Sequence, residues 1–169
     1  MKIVLASRNK KKKAELQALI DNHPGRTIYF NDGTYTISST VYLPTDKDKA
    51  VSFRLSNHAK IKAASNWSGE GAMISIGGKS AANSAKAENA LFGGIIDGAG
   101  VAKVGVSVEN AESTFISDVT LQNLATAMHV KSTANVLDVE RVTVNGGSVA
   151  NAVGILNEGS KSVFSTINM

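Results

Sequence analysis

The sequence predicts an all-β fold: a right-handed, single-stranded parallel β-helix with an N-terminal capping α-helix. Three observations carry this expectation. The triad apolar-x-x-apolar-x-apolar occurs as Ile116/Val119/Leu121, Val139/Val142/Val144 and Phe164/Ile167/Met169, with Phe92/Ile95/Asp97 as a fourth copy ending on a polar residue. Successive copies start 24, 23 and 25 residues apart. Short strands separated by Asn- and Gly-rich corners at that period are what one coil of a solenoid requires. The register expected from the triads stacks Ile95, Val119, Val142 and Ile167 in one column about 4.8 Å apart per coil, with Thr120 beside Thr143 outside.

The elements follow in order. Residues 2–6 (KIVLA) read as a short strand and residues 10–22 as a helix with Leu16, Leu19 and Ile20 on one face. Ser7 or Asn9 is placed to cap it, and Pro24-Gly25 to end it. Four lysines, Lys10 to Lys13, stand at its start, where they oppose the helix dipole. From Thr27 the apolar period becomes two. Ile28/Phe30, Tyr35/Ile37, Val41/Leu43, Val51/Phe53/Leu55, Ile61 and Met73/Ile74/Ile76 mark successive strands, with corners at Asn31-Asp32-Gly33 and Lys47-Asp48-Lys49. Residues 77–90 are small and polar and read as a loop projecting from the solenoid. After each triad comes a second strand: Val104/Val106/Val108, Met128/Val130, then Val153/Ile155, with an insertion at residues 146–152.

Composition narrows the function classes. A chain of 169 residues with 5% aromatic residues suits one domain whose narrow core is filled by Val, Ile and Leu. The net charge of +4 is matched by the one lysine run, which reads as a solvated helix end; without a basic stripe interleaved with aromatics, nucleic acid is not an expected partner. There is no cysteine, and His23, His58 and His129 lack metal-ligand spacing, so neither metal nor cofactor is expected. No apolar run is long enough to span a membrane or to form a signal-peptide core. Synthesis in the cytoplasm is therefore expected, with later virion-associated or extracellular use open.

The segments HPGRTIYFNDGTYTISSTVYLP (23–44), FGGIIDGAG (92–100) and VGILNEGSKSVFSTINM (153–169) resemble the pectin-lyase-like parallel β-helices, nearest to phage tailspikes and polysaccharide-processing enzymes. The resemblance implies a polysaccharide ligand. It brings no catalytic set, since Asn-Thr-Asp, Asp-Asp and Gly-His-Gly motifs and a calcium-binding acidic cluster are missing. A second resemblance covers the first twenty residues, where Ser7, Asn9, Lys12 and Glu15 match the S-x-N-x-x-K-x-x-E motif of inosine-triphosphate pyrophosphatases. It implies phosphate and Mg²⁺ binding there, and nothing beyond residue 20 extends it.

Glycoside hydrolysis usually needs two carboxyl groups, about 5–5.5 Å apart for retention and farther for inversion. Asp118 and Glu140, on adjacent coils, are the candidate catalytic pair, with Asp97 a third. The competing reading is an inter-coil ion pair of Asp118 with Arg141. For Asp97-Gly98 it is a turn capped by the aspartate, with Gly98 at positive φ. Trp67, His129 and Arg141 are candidate saccharide contacts. Trp67 could instead anchor its loop, and Tyr29, Tyr35 and Tyr42 could line a groove or pack coil edges. The expected function is carbohydrate recognition or a structural β-helix, with polysaccharide cleavage as the enzymatic alternative. Met169 sits on a core position of a strand, so a homo-oligomer contact or a longer chain is expected to cover that end.

Overall fold

A computed structural model describes residues 3–5, 12–81, 89–159 and 161–169. They form a parallel β-solenoid of about five turns with one short helix. Strand β1 (Ile3–Leu5) and helix α1 (Lys12–Asn22) precede the coils. The first coil is β2 (Thr27–Phe30), β3 (Gly33–Ile37) and β4 (Val41–Leu43). The second is β5 (Ser52–Leu55), β6 (Ala59–Ala63) and β7 (Ala72–Ile76), and the third β8 (Ala90–Phe92), β9 (Ile95–Asp97) and β10 (Val104–Val108). The fourth is β11 (Glu112–Ser117), β12 (Thr120–Gln122) and β13 (Thr126–Val130). Strands β14 (Asn135–Asn145), β15 (Val153–Asn157) and β16 (Ser162–Asn168) complete the chain.

Every described strand pair is parallel, and three faces result. The first is β1-β2-β5-β8-β11, and the second is β3-β6-β9-β12. The long strand β14 runs across both and carries β16. The third face is β4-β7-β10-β13-β15.

Stacking of like residues fills the core. Ile28, Phe53, Leu91, Ile116, Val139 and Phe164 form one column by register. Tyr35, Ile61, Ile96, Leu121 and Val144 form a second, and Val41, Ile74, Val106, Met128 and Ile155 a third. The advance along the first column is 25 residues from Ile28 to Phe53 but 38 from Phe53 to Leu91. The surplus is accommodated between β7 and β8, the region expected to project; residues 82–88 lie outside the described residues.

One expected register is corrected. Val119, Val142 and Ile167 do share a column, but Ile95 pairs with Thr120 and Ile96 is the buried residue. The inward triad of that coil is Leu91/Gly94/Ile96, one residue earlier than Phe92/Ile95/Asp97. The bend between the half-strands explains the slip. Gly93, Asp118, Arg141 and Thr166 all hold positive φ, between 50 and 72°, at the equivalent corner. In the third coil glycine fills both that corner and the next inward position, where a Cβ on Gly94 would meet Leu55 at 2.6 Å. An apolar pattern search passes over such a position.

The N-terminal end is closed by α1, whose Leu16 and Ile20 are buried and whose contacts are to β3 and β4. A side-chain amide completes the seal. Tyr42 N–H donates to Gln17 Oε1 at 2.9 Å, and Gln17 Nε2 donates back to Tyr42 O at 3.2 Å. Gln17 thus stands in for the next strand on the free edge of β4. Phe30 packs edge-on against both Tyr35 and Phe53 beneath this cap. Lys10 and Lys11 and the proposed caps Ser7 and Asn9 lie outside the described residues. At the other end Met169 is 86% exposed, while Val163, 63% exposed, faces outward in register with Asp138.

Candidate functional site

The corner between the first two faces brings Asp118, Glu140 and Arg141 together. Arg141 Nε and Nη2 donate to the two oxygens of Asp118 at 2.7 and 2.9 Å, while Nη1 lies 2.6 Å from Glu140 Oε1. Ser117 Oγ–H also donates to Asp118 and accepts from Arg141 Nη2 at 3.0 Å. The Arg141 hydrogen bonds, then that of Ser117, lower the Asp118 pKa to about 2. A carboxylate held there is ionised at neutral pH and poorly placed to donate a proton. The inter-coil ion pair read from the sequence is therefore present, with Glu140 drawn into the same guanidinium.

Asp97 lies on the second face and is only 5% exposed. Its oxygens accept hydrogen bonds from Ala99 N–H, Gln122 Nε2 and Asn123 Nδ2, each at 2.9 Å, with Lys60 Nζ at 3.7 Å. Burial alone would raise its pKa; these donors and Lys60 outweigh burial and hold it below the usual range. The aspartate does cap its own turn, but the positive φ falls on Ala99 and Gly100, not on Gly98. Gly98 is small for another reason: a Cβ there would meet Leu124 at 2.4 Å and Asn123 O at 2.5 Å.

His129 belongs to the third face, which carries a different constellation. Its outward column by register is Tyr42, Ser75, Ser107, His129 and Leu156. Beside it, one residue past the strand ends, Glu109, Lys131 and Glu158 continue the coil-to-coil hydrogen bonding through their backbone amides. Lys131 Nζ pairs with Glu109 at 2.7 Å, and His129 Nε2 lies 2.7 Å from Glu158 Oε1. The His129 hydrogen bond leads the causes that lower the Glu158 pKa.

Tyr42, Ser75, Ser107 and His129 of the first row and Glu109 and Lys131 of the second line an open groove of about 430 Å³, together with Thr40, Glu70 and Gly71. Its floor is made of small side chains. Ser75 and Ser107 are 3% and 6% exposed. An ideal Cβ on Gly78 would stand 2.1 Å from Ser75 Oγ and 2.8 Å from Glu109 Oε1, so a glycine there leaves room for the carboxylate over the serine. Trp67 packs partly buried against the core with Gly69 flat on its indole. It anchors the loop that delivers Glu70 and Gly71 to the groove rim. Tyr42 borders the groove and carries Lys79 over its ring at 3.9 Å.

Of the six residues singled out in the sequence, Asp118, Glu140 and Arg141 form one cluster, while Asp97, His129 and Trp67 lie elsewhere. Glu70, Glu109 and Lys131 were missed. The available signal was positional: Glu109 and Lys131 each directly follow the last inward valine of a second strand, Val108 and Val130. Among the described residues no cluster of three or more His, Asp or Glu side chains is arranged to hold a metal, and no helix is long and apolar enough to cross a membrane.

Fold and groove together define a parallel β-solenoid with a polar lateral groove. No protein-family model matches the chain, and no curated protein matches it. Among solved structures it is similar to a "putative glycosyl hydrolase" from Parabacteroides merdae ATCC 43184, with a TM-score of 0.67 and 20% identity over 96% of this chain and 91% of that one. At that identity the likeness speaks for the shared solenoid. The segment resembling inosine-triphosphate pyrophosphatases finds no support: β1 pairs in parallel with β2 as the first rung of the solenoid, and Ser7 and Asn9 lie outside the described residues.

Proposed function

We propose that this chain is a carbohydrate-binding β-solenoid of the tailspike or pectin-lyase-like kind, and that it engages a polysaccharide along the groove of the third face. The observation that carries the reading is the pairing of a small hydroxyl floor, Ser75 and Ser107, with a polar rim of Glu109, Lys131 and His129. Donors and acceptors alternate along the coil axis. A glycan presents hydroxyls that need both, at intervals along an extended chain. Tyr42 adds a ring at one end. The solenoid neighbour described as a glycosyl hydrolase makes carbohydrate the natural ligand class to test.

Cleavage is the second reading, favoured by two carboxylates, Glu70 and Glu109, on the rim of one groove. In it, one carboxylic acid protonates the departing glycosidic oxygen and the other carboxylate takes a proton from water. The Asp118–Glu140 pair remains an alternative locus, with Arg141 a contact for substrate oxygens.

Calorimetric titration with capsular and pectic oligosaccharides tests binding. Saturable binding weakened about tenfold or more by Glu109→Gln and by Gly78→Ala supports the groove, at about 1.4 kcal/mol per factor of ten. Binding unchanged in both variants removes it. Release of new reducing ends, lost in Glu109→Gln but retained in Asp118→Asn and Glu140→Gln, places hydrolysis in the groove; the opposite pattern places it at the corner.

A further inference from the structure

Three corners of the solenoid close by the same local hydrogen bond. Asp97 Oδ1 accepts the amide of Ala99 at 2.9 Å, Asn145 Oδ1 that of Gly147 at 3.0 Å, and Asn157 Oδ1 that of Gly159 at 3.2 Å. Each turn folds the side-chain carbonyl back over the intervening peptide. The nitrogen of the intervening residue is what sets the three apart. Gly98 N–H donates to Gln122 O at 2.9 Å, and Glu158 N–H donates to Val130 O at 2.9 Å. Gly146 N–H has no partner among the described residues.

The carbonyl groups differ as well. Asp97 is a buried carboxylate that also accepts from Gln122 and Asn123, and a carboxylate resists nucleophilic attack. Asn145 is an exposed carboxamide on the last residue of β14, in the one Asn-Gly dipeptide of the chain. Residue 146 has no Cβ to screen its nitrogen. The Gly147 N–H bound to Asn145 Oδ1 stands where negative charge gathers on that oxygen when Cγ is attacked.

We propose that Asn145 is a self-modification site that converts through a cyclic succinimide to aspartate and isoaspartate. Gly146 N gives its proton to a base in solvent and bonds to Asn145 Cγ. The Cγ–Nδ2 bond breaks, and the nitrogen leaves as ammonia after taking up one proton. Water then adds to either carbonyl of the five-membered ring. Opening at Cγ gives aspartate; opening at the main-chain carbonyl gives isoaspartate, with an extra methylene in the backbone. Both products place a new negative charge in the outward column of Asp97 and Gln122. Isoaspartate also takes the Asn145 carbonyl, which accepts Asn123 N–H at 3.0 Å, out of the main chain, and so loosens the corner between the second and third faces.

The test follows the whole chain at neutral pH and body temperature by peptide mass spectrometry. Cleavage after Arg141 and Lys161 yields one peptide that holds Asn145, Asn151 and Asn157, so fragmentation compares the three directly. The expected result is conversion at Asn145 about tenfold or more faster than at either neighbour, a barrier lower by about 1.4 kcal/mol. Both aspartate and isoaspartate should form, at a rate that rises with pH. Glu158→Gly gives Asn157 the same following residue and the same turn, while the nitrogen between them stays bound to Val130 O. Asn157 should still convert about tenfold more slowly than Asn145 in that variant. Equal rates at Asn145 and Asn157 in the native chain, equal rates in Glu158→Gly, or aspartate formed without isoaspartate would each overturn the assignment. Circular dichroism establishes that the variant is folded, and the comparison within the native chain stands without it.

Discussion

Asp118 and Arg141 occupy the same corner of adjacent coils, both with positive φ, and face each other through two charge-assisted hydrogen bonds of 2.7 and 2.9 Å. The corner is costly for two non-glycine residues, and the guanidinium is held by carboxylates from both coils. The pair is half-exposed, so its net contribution to stability is small despite good geometry.

Asp118 titrates at about 2 when folded, against 3.8 ordinarily. Because the folded value is depressed, its stabilising effect is in place above about pH 4 and is lost as pH falls through about 2. Carbon-13 titration of its carboxyl should show this, and Arg141→Gln should return the midpoint toward the ordinary value. Asp118→Asn should lower the melting temperature at neutral pH by only about 2–4 °C or less. A drop far beyond that would mean that the corner conformation itself depends on the pair.

The one-residue slip in the third coil makes a sharp contrast between neighbours. Ile96 is fully buried in the second column, whereas Ile95 is partly exposed. Ile96→Ala should cost about 2–5 kcal/mol in urea unfolding. Ile95→Ala should cost less than about 1 kcal/mol. Equal losses would return the register to the one the triads suggested.

Gln17 completes the edge of β4 through two hydrogen bonds to the Tyr42 backbone. Gln17→Ala should cost about 1–3 kcal/mol and leave a strand edge open to another chain. Light scattering should then show concentration-dependent association beyond that of the native chain. Unchanged melting and unchanged association would mean that the helix seals the end by apolar packing alone.

The His129–Glu158 contact spans two coils and holds His129, which lines the groove. Glu158 is held below the usual glutamate range chiefly by the His129 hydrogen bond, so its part of the pair forms above that range and is lost as pH falls through the depressed value. His129→Asn should raise the Glu158 midpoint, as measured by NMR titration. Saccharide affinity in the groove should fall over the same acidic interval, and should lose that dependence in Glu158→Gln.

By itself, the sequence determined that the chain winds as parallel rungs, where the helix seals the first rung, and, outside the third coil, which valines, isoleucines and leucines stack inside. Inward positions repeat because each rung must bury the same kind of surface against the one below, so Ile116 over Leu91 and Val139 over Ile116 leave a periodic trace. Tertiary structure decided the rest. Gly94 occupies an inward position without an apolar side chain, so the pattern moved to Phe92 and Ile95 and turned the outward ring of Phe92 into an apparent core residue. Outward residues carry no periodic signature, because solvent accepts any of them. Only coiling brings Glu109 beside Lys131, His129 beside Glu158, and Phe92 beside Phe115. The same coiling joins Asp118 and Glu140 to one arginine and leaves Asp97 sealed on another face, a division set by the three-sided section of the solenoid.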